Sequence, residues 1–365
     1  MELLNASGAA RRLQTSPLFA IGPSAPGPAL RRGALVAVPV GLALILELGL
    51  DSPTKGAVGT GALLAGFPGL DAPARTRAAW QAASAPVIGI AAALGVLTGS
   101  NAFLAVAAMA VVGAAAGYCF AVSLRLSIAG LSVALSLLIV QGLPLGISDT
   151  IPALLFATAG GLLQAAWSLC VWVAGDREEE GGERGWDASA AIAALRSNLT
   201  LHSVSCRHAL RFGAALGTGV AAYWLLGMSE HGFWVPLTIL FVLRPDRDET
   251  FRRLVLRAAG TLVGLAIATA LAEWLGGEGV AIGVALTIAT GFAYGLLTVQ
   301  YALFTAAITT YAVLLADSIG EAALRAAGQR ALATAIGIAI AGGAFLAWSN
   351  PGEALPDAQP GPSAT

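Results

Sequence analysis

Long apolar segments separated by short polar stretches constrain the fold of this chain more than any other feature. Twelve segments fall into two sets of six. The first set is 33–50, 54–70, 78–98, 101–121, 126–143 and 151–174, and the second is 207–228, 231–243, 254–275, 279–297, 300–316 and 328–348. A helix of about 20 apolar residues crosses a bilayer with all its backbone polar groups satisfied internally. The pattern predicts an all-α polytopic membrane protein with about twelve transmembrane helices in two six-helix halves.

The composition excludes several other classes of protein. Only 11% of the residues are charged, whereas soluble domains carry about 25%. The net charge of −1 gives no reason to expect a nucleic-acid partner. The three cysteines and three histidines are scattered, without the spacing of metal ligands. The apolar segments also contain no arrangement typical of an enzyme, so we expect no catalytic residues, no metal and no cofactor.

We expect five regions along the chain. They are an N-terminal cytoplasmic tail (1–30), a first membrane half (31–174), a cytoplasmic linker (175–206), a second membrane half (207–348) and a disordered C-terminal tail (349–365). The linker contains the charged sequence DREEEGGER. The segment 231–243 is the shortest and contains Pro236, which predicts a broken or re-entrant helix.

The distribution of basic residues predicts the orientation. With both termini inside, 17 of the 20 Lys and Arg residues lie on the cytoplasmic side, and only Lys55, Arg325 and Arg330 lie on the other. Cytoplasmic loops of membrane proteins are enriched in Lys and Arg. We therefore expect a multi-pass protein of the inner or plasma membrane with both termini in the cytoplasm.

One sequence pattern, R-x4-R-x3-T-x2-G, occurs twice in the second half, 73 residues apart. Its members are Arg252, Arg257, Thr261 and Gly264 in the first copy and Arg325, Arg330, Thr334 and Gly337 in the second. The copies begin spans nine and twelve, so they enter the membrane from opposite sides. This spacing predicts a 3+3 inverted repeat, which in transporters places the substrate site where the copies meet.

Several further residues are candidates for function. Arg257 and Arg330 each precede a threonine, Thr261 or Thr334, on the same helix face, which suits binding of an anion. Trp234, next to Pro236, is a candidate for lining a pathway. Glu47 and Glu273 lie near the ends of apolar spans and are candidates for a proton relay. The mixed-charge sequence RPDRDETFRR is either a solvated hairpin or a region that attracts anions.

The stretch HGFWVPLTILFVLRPDRDETFRRLVLRAAGTLVG (231–264) resembles the signature of the fusaric acid resistance protein family, also called aromatic acid exporters. The matching residues are Trp234, Pro236, Leu237, Thr238, Pro245, Arg257, Gly260, Thr261 and Gly264. The resemblance implies an inner-membrane exporter of aromatic carboxylic acids and related toxic anions. It adds Thr238 to the substrate-binding candidates, which are then Arg257, Thr261, Trp234, Pro236, Thr238, Arg330 and Thr334. Larger family members have a cytoplasmic domain between the halves, whereas this linker is short.

Two other transport functions stay open at this point. The family's fold is similar to that of plant aluminium-activated malate transporters, which are anion channels. A major-facilitator-like carrier would also have six plus six spans, although the charged loops lack its glycine spacing. In each case the expected partners are the lipid bilayer and a small organic anion, and assembly into a homo-oligomer is left open.

Overall fold

In a computed structural model, residues 26–47, 56–175, 188–228, 231–276, 279–297, 299–318 and 322–347 are described, and all regular secondary structure in these ranges is helical. The first half contains α1 (Pro26–Glu47), α2 (Ala57–Ala65), α3 (Ala74–Gly99), α4 (Ala102–Tyr118), α5 (Leu124–Gln141) and α6 (Thr150–Val173). Then follow α7 (Ala188–Asn198), α8 (Val204–Leu225), α9 (Trp234–Val242), α10 (Arg247–Leu275), α11 (Gly279–Leu296), α12 (Tyr301–Ser318) and α13 (Ala323–Ala347).

Nine helices within the described ranges are long and apolar enough to cross a membrane. They are α1, α3, α4, α5, α6, α10, α11, α12 and α13. Many large apolar side chains on the perimeter are exposed, among them Phe103, Leu225 and Trp274. Such a surface suits a lipid environment better than water. The protein is therefore an all-α polytopic membrane protein.

Two of the twelve apolar segments form helices of only nine residues, α2 and α9. At 1.5 Å per residue each is ~13.5 Å long, less than half of a bilayer core. The segment 54–70 was expected to span the membrane, but α2 ends at Ala65. Pro68 and Gly69, which has a φ of 69°, follow it, and both residues disfavour continuation of a helix. We call α2 and α9 the short helices.

Some predicted boundaries differ from the structure. Helix α1 begins at Pro26, inside the stretch expected to belong to the tail, because proline is favourable in the first turn of a helix. The expected linker contains α7 and the first residues of α8. Most of the N-terminal tail, the sequence DREEEGGER and the C-terminal tail lie outside the described residues.

The two halves share one pattern of helix contacts. Helix α3 packs against α5 and α6, and its counterpart α10 packs against α12 and α13. The short helix α2 lies on α6, just as α9 lies on α13. The halves interlock because α4 packs along α8 and α11 packs along α1. This arrangement places both short helices inside the bundle.

Glycines allow the short helices to approach their neighbours closely. A Cβ on Gly160 of α6 would lie 2.0 Å from the carbonyl oxygen of Val58. A Cβ on Gly337 of α13 would lie 2.7 Å from the carbonyl oxygen of Val235 and 2.7 Å from Cβ of Thr238. Because only hydrogen fits in these gaps, the backbones of the crossing helices are in direct contact.

Candidate functional site

A cavity of about 1130 Å³ lies between the two halves. Residues from α2, α3, α5, α6, α8, α9, α12 and α13 line it. The lining includes loop residues next to the N-termini of α2 and α9 and the C-termini of α5 and α8, and helix residues near the N-terminus of α13 and the C-terminus of α12. These termini lie at the same end of the bundle, which we call the open end. Phe67 and Phe241, at the other ends of the short helices, line the cavity far from the open end.

The walls of the cavity are largely apolar and rich in aromatic rings. The aromatic lining residues are Phe67, Tyr223, Trp224, Phe233, Trp234, Phe241 and Tyr311, with His231 near the open end. His231 packs on Trp234 with 4.1 Å between ring centroids. Pockets for small organic ligands typically combine such apolar walls with a few polar groups.

Arg330 supplies a positive charge in the cavity wall. Its side chain is 1% exposed, and its guanidinium carbon Cζ lies 5.2 Å from the ring centroid of Trp234. Its Nε and Nη1 have no hydrogen-bond partner among the described residues. Because buried donors are usually paired, these N–H groups are suited to bind an anion in the cavity.

Arg257 lies on α10, which packs against α13, the helix of Arg330, but Arg257 does not line the cavity. Arg257 is 0% exposed, and none of its three side-chain nitrogens has a hydrogen-bond partner in the described part of the chain. The hydroxyls of Thr261 and Thr334 are also buried without partners there. The structure thus places four of the predicted site residues in the interior where α10 and α13 meet.

The remaining substrate-binding candidates, Trp234, Pro236 and Thr238, lie on α9, and all three are buried. Pro236 was expected to interrupt a helix, but it is the third residue of α9, where its missing N–H disrupts no helical hydrogen bond. The Thr238 hydroxyl donates to the carbonyl oxygen of Trp234 at 3.0 Å. Pro236 therefore begins the short helix, and Thr238 uses its donor within it.

The C-terminal end of α9 is buried and is held by side chains from other helices. Nη1 of Arg253 and the hydroxyl of Tyr301 each donate to the carbonyl oxygen of Phe241 at 3.2 Å. Nη2 of Arg211 donates to the carbonyl oxygens of Arg244, at 3.2 Å, and Pro245, at 3.3 Å. A helix leaves its last carbonyls without internal partners, and lipid offers no substitute. These donors therefore stabilise α9, although its C-terminal end lies inside the protein.

The mixed-charge sequence after α9 is not a solvated hairpin, one of its two expected interpretations. Glu249 and Arg253 form an ion pair, with 2.6 Å between Oε1 and Nε, and these side chains are 5% and 1% exposed. Arg252 donates to the other carboxylate oxygen at 2.9 Å. Burial lowers the pKa of Arg244 to about 9, and the like charge of Arg253 acts in the same direction. Arg244 thus remains protonated at neutral pH, and this region is a packed part of the protein.

The two proton-relay candidates differ in their surroundings. The carboxylate of Glu47 is 5% exposed and accepts hydrogen bonds from the backbone N–H groups of Val58, at 2.8 Å, and Gly59, at 3.1 Å. It therefore caps the N-terminus of α2, where the helix dipole favours a negative charge. Glu273 is exposed near the end of α10.

The first half contains a buried polar cluster that sequence reasoning missed. Nε of Arg77 donates to the Ser168 hydroxyl at 3.4 Å, and that hydroxyl donates to Oε1 of Gln81 at 2.7 Å. Arg77 and Gln81 are four residues apart near the start of α3, as Arg253 and Arg257 are near the start of α10. This shared spacing is the sequence feature from which the cluster could have been predicted. Hydrogen bonds link the three side chains of the first-half cluster, although Nε2 of Gln81 has no partner among the described residues. The Arg257 guanidinium has no hydrogen-bond partner among them at all.

Comparisons with known proteins show that the second half is similar to a protein family. Residues 215–342 match the family described as "Fusaric acid resistance protein-like". The chain is 38% identical over 148 residues to Inner membrane protein YccS of Escherichia coli (strain K12), which covers 40% of this chain and 20% of that protein. It is 37% identical over 103 residues to Uncharacterized protein slr1298 of Synechocystis sp., which covers 25% of this chain and 13% of the relative.

The chain therefore spans a fifth or less of the length of these two relatives. No solved structure matches it. The family match covers α9 to α12 and most of α13, and it includes the buried Arg257 and Arg330. The resemblance seen in the signature is thereby confirmed, since residues 215–342 match the model of the fusaric acid resistance protein-like family.

Proposed function

We propose that this protein is a secondary transporter that exports small organic anions, aromatic carboxylates above all, across the inner membrane. The observation that carries the proposal is the position of Arg330. Its guanidinium lies in the wall of a large, mostly aromatic cavity, with N–H groups that have no hydrogen-bond partner among the described residues. The family match supports a membrane transporter.

The chemistry of the cavity suits an aromatic carboxylate. The guanidinium of Arg330 presents parallel N–H donors, which can bind both oxygens of a carboxylate. Trp234 and Phe233 offer flat apolar surfaces on which an aromatic ring can pack. In this proposal Arg330 binds the charged end of the substrate, and Trp234 contacts its ring.

We further propose that the chain crosses the membrane twelve times, with both termini in the cytoplasm and the open end outside. The segments that contain the short helices make two of these crossings together with the loops that flank them. A 3+3 inverted repeat in the second half accompanies this topology. Two reciprocal contacts support the repeat. Gly264 of α10 packs on Thr309 of α12, and Gly337 of α13 packs on Thr238 of α9. The third helix of each repeat thus lies on the second helix of the other.

An anion channel is the second candidate, and one observation favours it. No acidic residue in the described part of the chain lines the cavity. Carriers driven by protons generally need an Asp, Glu or His side chain along the pathway, and among the described lining residues only His231 is of this kind. A channel needs only the positive charge of the arginines and a path that opens at both ends.

Binding of benzoate to the detergent-purified protein tests the shared part of both candidates. Arg330→Gln removes hydrogen bonds between charged groups, worth ~1.5–3 kcal/mol each, so it should weaken binding by about tenfold or more. Arg125→Gln is the matched control, because Arg125 pairs with Asp71 at the partly exposed surface of the first half. Equal benzoate affinity of the wild type and Arg330→Gln would contradict the proposed site.

Flux through proteoliposomes then separates the two candidates. An exporter should move benzoate against its gradient when a proton gradient is applied. A channel should instead carry a current that is proportional to voltage and independent of the proton gradient.

A further inference from the structure

Phe241 lies between the cavity and Arg257. Its ring lines the cavity, and its centroid is 5.4 Å from the guanidinium carbon of Arg257. Arg257 itself is fully buried and is not part of the lining. The ring of Phe241 therefore separates the cavity from the guanidinium of Arg257.

Helices α10, α12 and α13 carry a group of buried polar atoms without hydrogen-bond partners among the described residues. It includes the Arg257 guanidinium, which lies over the Phe241 ring, and the hydroxyls of Thr261, Thr305, Thr309 and Thr334. The three helices contact one another. Thr305 packs directly on Gly260, one turn from Arg257.

This group is chemically suited to an anion. A buried guanidinium without a counter-charge is costly, and buried hydroxyls are normally hydrogen-bonded. The nearby carboxylate of Glu249 is engaged by Arg252 and Arg253, and no described acidic residue pairs with Arg257. Guanidinium and hydroxyl groups all offer donors, and a carboxylate or small inorganic anion accepts from several donors at once.

We propose that Arg257, Thr261, Thr305 and Thr334 form a second anion subsite and that Phe241 is the gate that closes it off from the cavity. The proposal rests on the proposed function, since the same organic anion would occupy both subsites. During export it would bind at Arg257 first and at Arg330 second, and movement in the other direction would reverse this order. Specifically, the ring of Phe241 must move for an anion to pass between the two arginines.

The backbone around the gate is fixed, which indicates that the side chain is the moving part. Arg253 and Tyr301 both donate to the carbonyl oxygen of Phe241. On one side the ring of Phe304 packs against it, with 5.5 Å between centroids. Rotation of the Phe241 side chain opens the path without breaking these backbone hydrogen bonds.

Passive anion leak from proteoliposomes tests the gate. Vesicles of full-length protein are loaded with radiolabelled benzoate or with nitrate, and efflux is followed without a proton gradient. Phe241→Ala should raise efflux about tenfold or more, equivalent to a barrier lowered by ~1.4 kcal/mol. Phe304→Ala is the matched control, because Phe304 is fully buried beside Phe241 but does not line the cavity. It should leave the leak close to that of the wild type.

The double variant Phe241→Ala/Arg257→Gln shows whether the leak passes through the second subsite. It should return nitrate and benzoate efflux most of the way to the wild-type rate, and Phe241→Trp should stay closed. Phenylalanine-to-leucine versions replace any alanine variant that elutes as an aggregate. The proposal is overturned if Phe241→Ala leaks no more than Phe304→Ala, or if Arg257→Gln leaves the leak unchanged.

These outcomes can be separated from a failure of the proposed function. If wild type does not bind benzoate, the proposed substrate class is wrong, but the nitrate leak still tests the gate. If benzoate binding depends on Arg330 but Phe241→Ala changes neither the benzoate efflux nor the nitrate efflux, the result supports the proposed function and contradicts the gate.

Discussion

Replacing Tyr294 by phenylalanine removes one hydroxyl and tests how the chain stabilises its short helices. That hydroxyl donates to the carbonyl oxygen of Leu63, near the C-terminal end of α2, at 2.6 Å. Both residues are buried, with 1% and 5% of their surface exposed. The ring of Tyr294, which packs edge-on against Phe67 at 4.9 Å, is kept in the variant, so the hydrogen bond alone is removed.

The expected cost follows from the buried carbonyl that loses its donor. Leaving such a group unsatisfied costs ~1–3 kcal/mol. Tyr311→Phe is the matched control, because Tyr311 is also buried but its hydroxyl has no hydrogen-bond partner among the described residues. Removal of the Tyr311 hydroxyl should leave the stability of the protein unchanged or slightly raise it.

Thermal unfolding of the detergent-solubilised variants, followed by near-ultraviolet circular dichroism, measures the difference. Tyr294→Phe should lower the midpoint by about 1–2 °C for each kcal/mol lost, because an unfolding entropy of ~2.1 cal/mol/K per residue applies over 365 residues. An unchanged midpoint for Tyr294→Phe, or a larger loss for Tyr311→Phe, would refute the view that side-chain donors hold the ends of the short helices.

Three other predictions follow from the site and the fold. Arg257→Lys should insert normally but lose most benzoate transport, because lysine cannot bind a carboxylate bidentately; normal transport would leave Arg257 as a structural residue. Gly337→Ala should destabilise the protein by ~1–3 kcal/mol, because the new Cβ would lie 2.7 Å from backbone and side-chain atoms of α9. Gly343→Ala in the same helix meets nothing within 4 Å and should not destabilise it in the same melting experiment. In a background without native cysteines, Leu199→Cys and Leu324→Cys, both at exposed positions, should react with an impermeant thiol reagent from opposite sides of the membrane; labelling from one side would contradict the topology.

The sequence alone predicts the helices well, because their cause is local. Each of the twelve apolar segments contains a helix, since a long apolar run satisfies its own backbone only in that conformation. The short length of α9 was also indicated, by its few apolar residues and by Pro236. The end of α2 at Ala65 was missed, although Pro68 and Gly69 follow closely.

The candidate site was predicted only in part. Residue spacing placed Arg257 with Thr261, and Arg330 with Thr334, because helical periodicity determines which residues share a face. Nothing in the spacing indicates that Arg330 lines a cavity while Arg257 lies behind Phe241. That distinction depends on how α9 crosses α10 and α13.

The sequence by itself therefore determined the class of protein, the helices and the family resemblance of the second half. The tertiary structure decided the roles of the polar side chains. Glu249 became a buried partner of Arg253, Glu47 a cap of α2 and Tyr294 a donor to a carbonyl 231 residues away. The physical reason is range: a helix forms from hydrogen bonds between residues four apart, whereas the partner of a buried polar group comes from whichever distant helix packs against it.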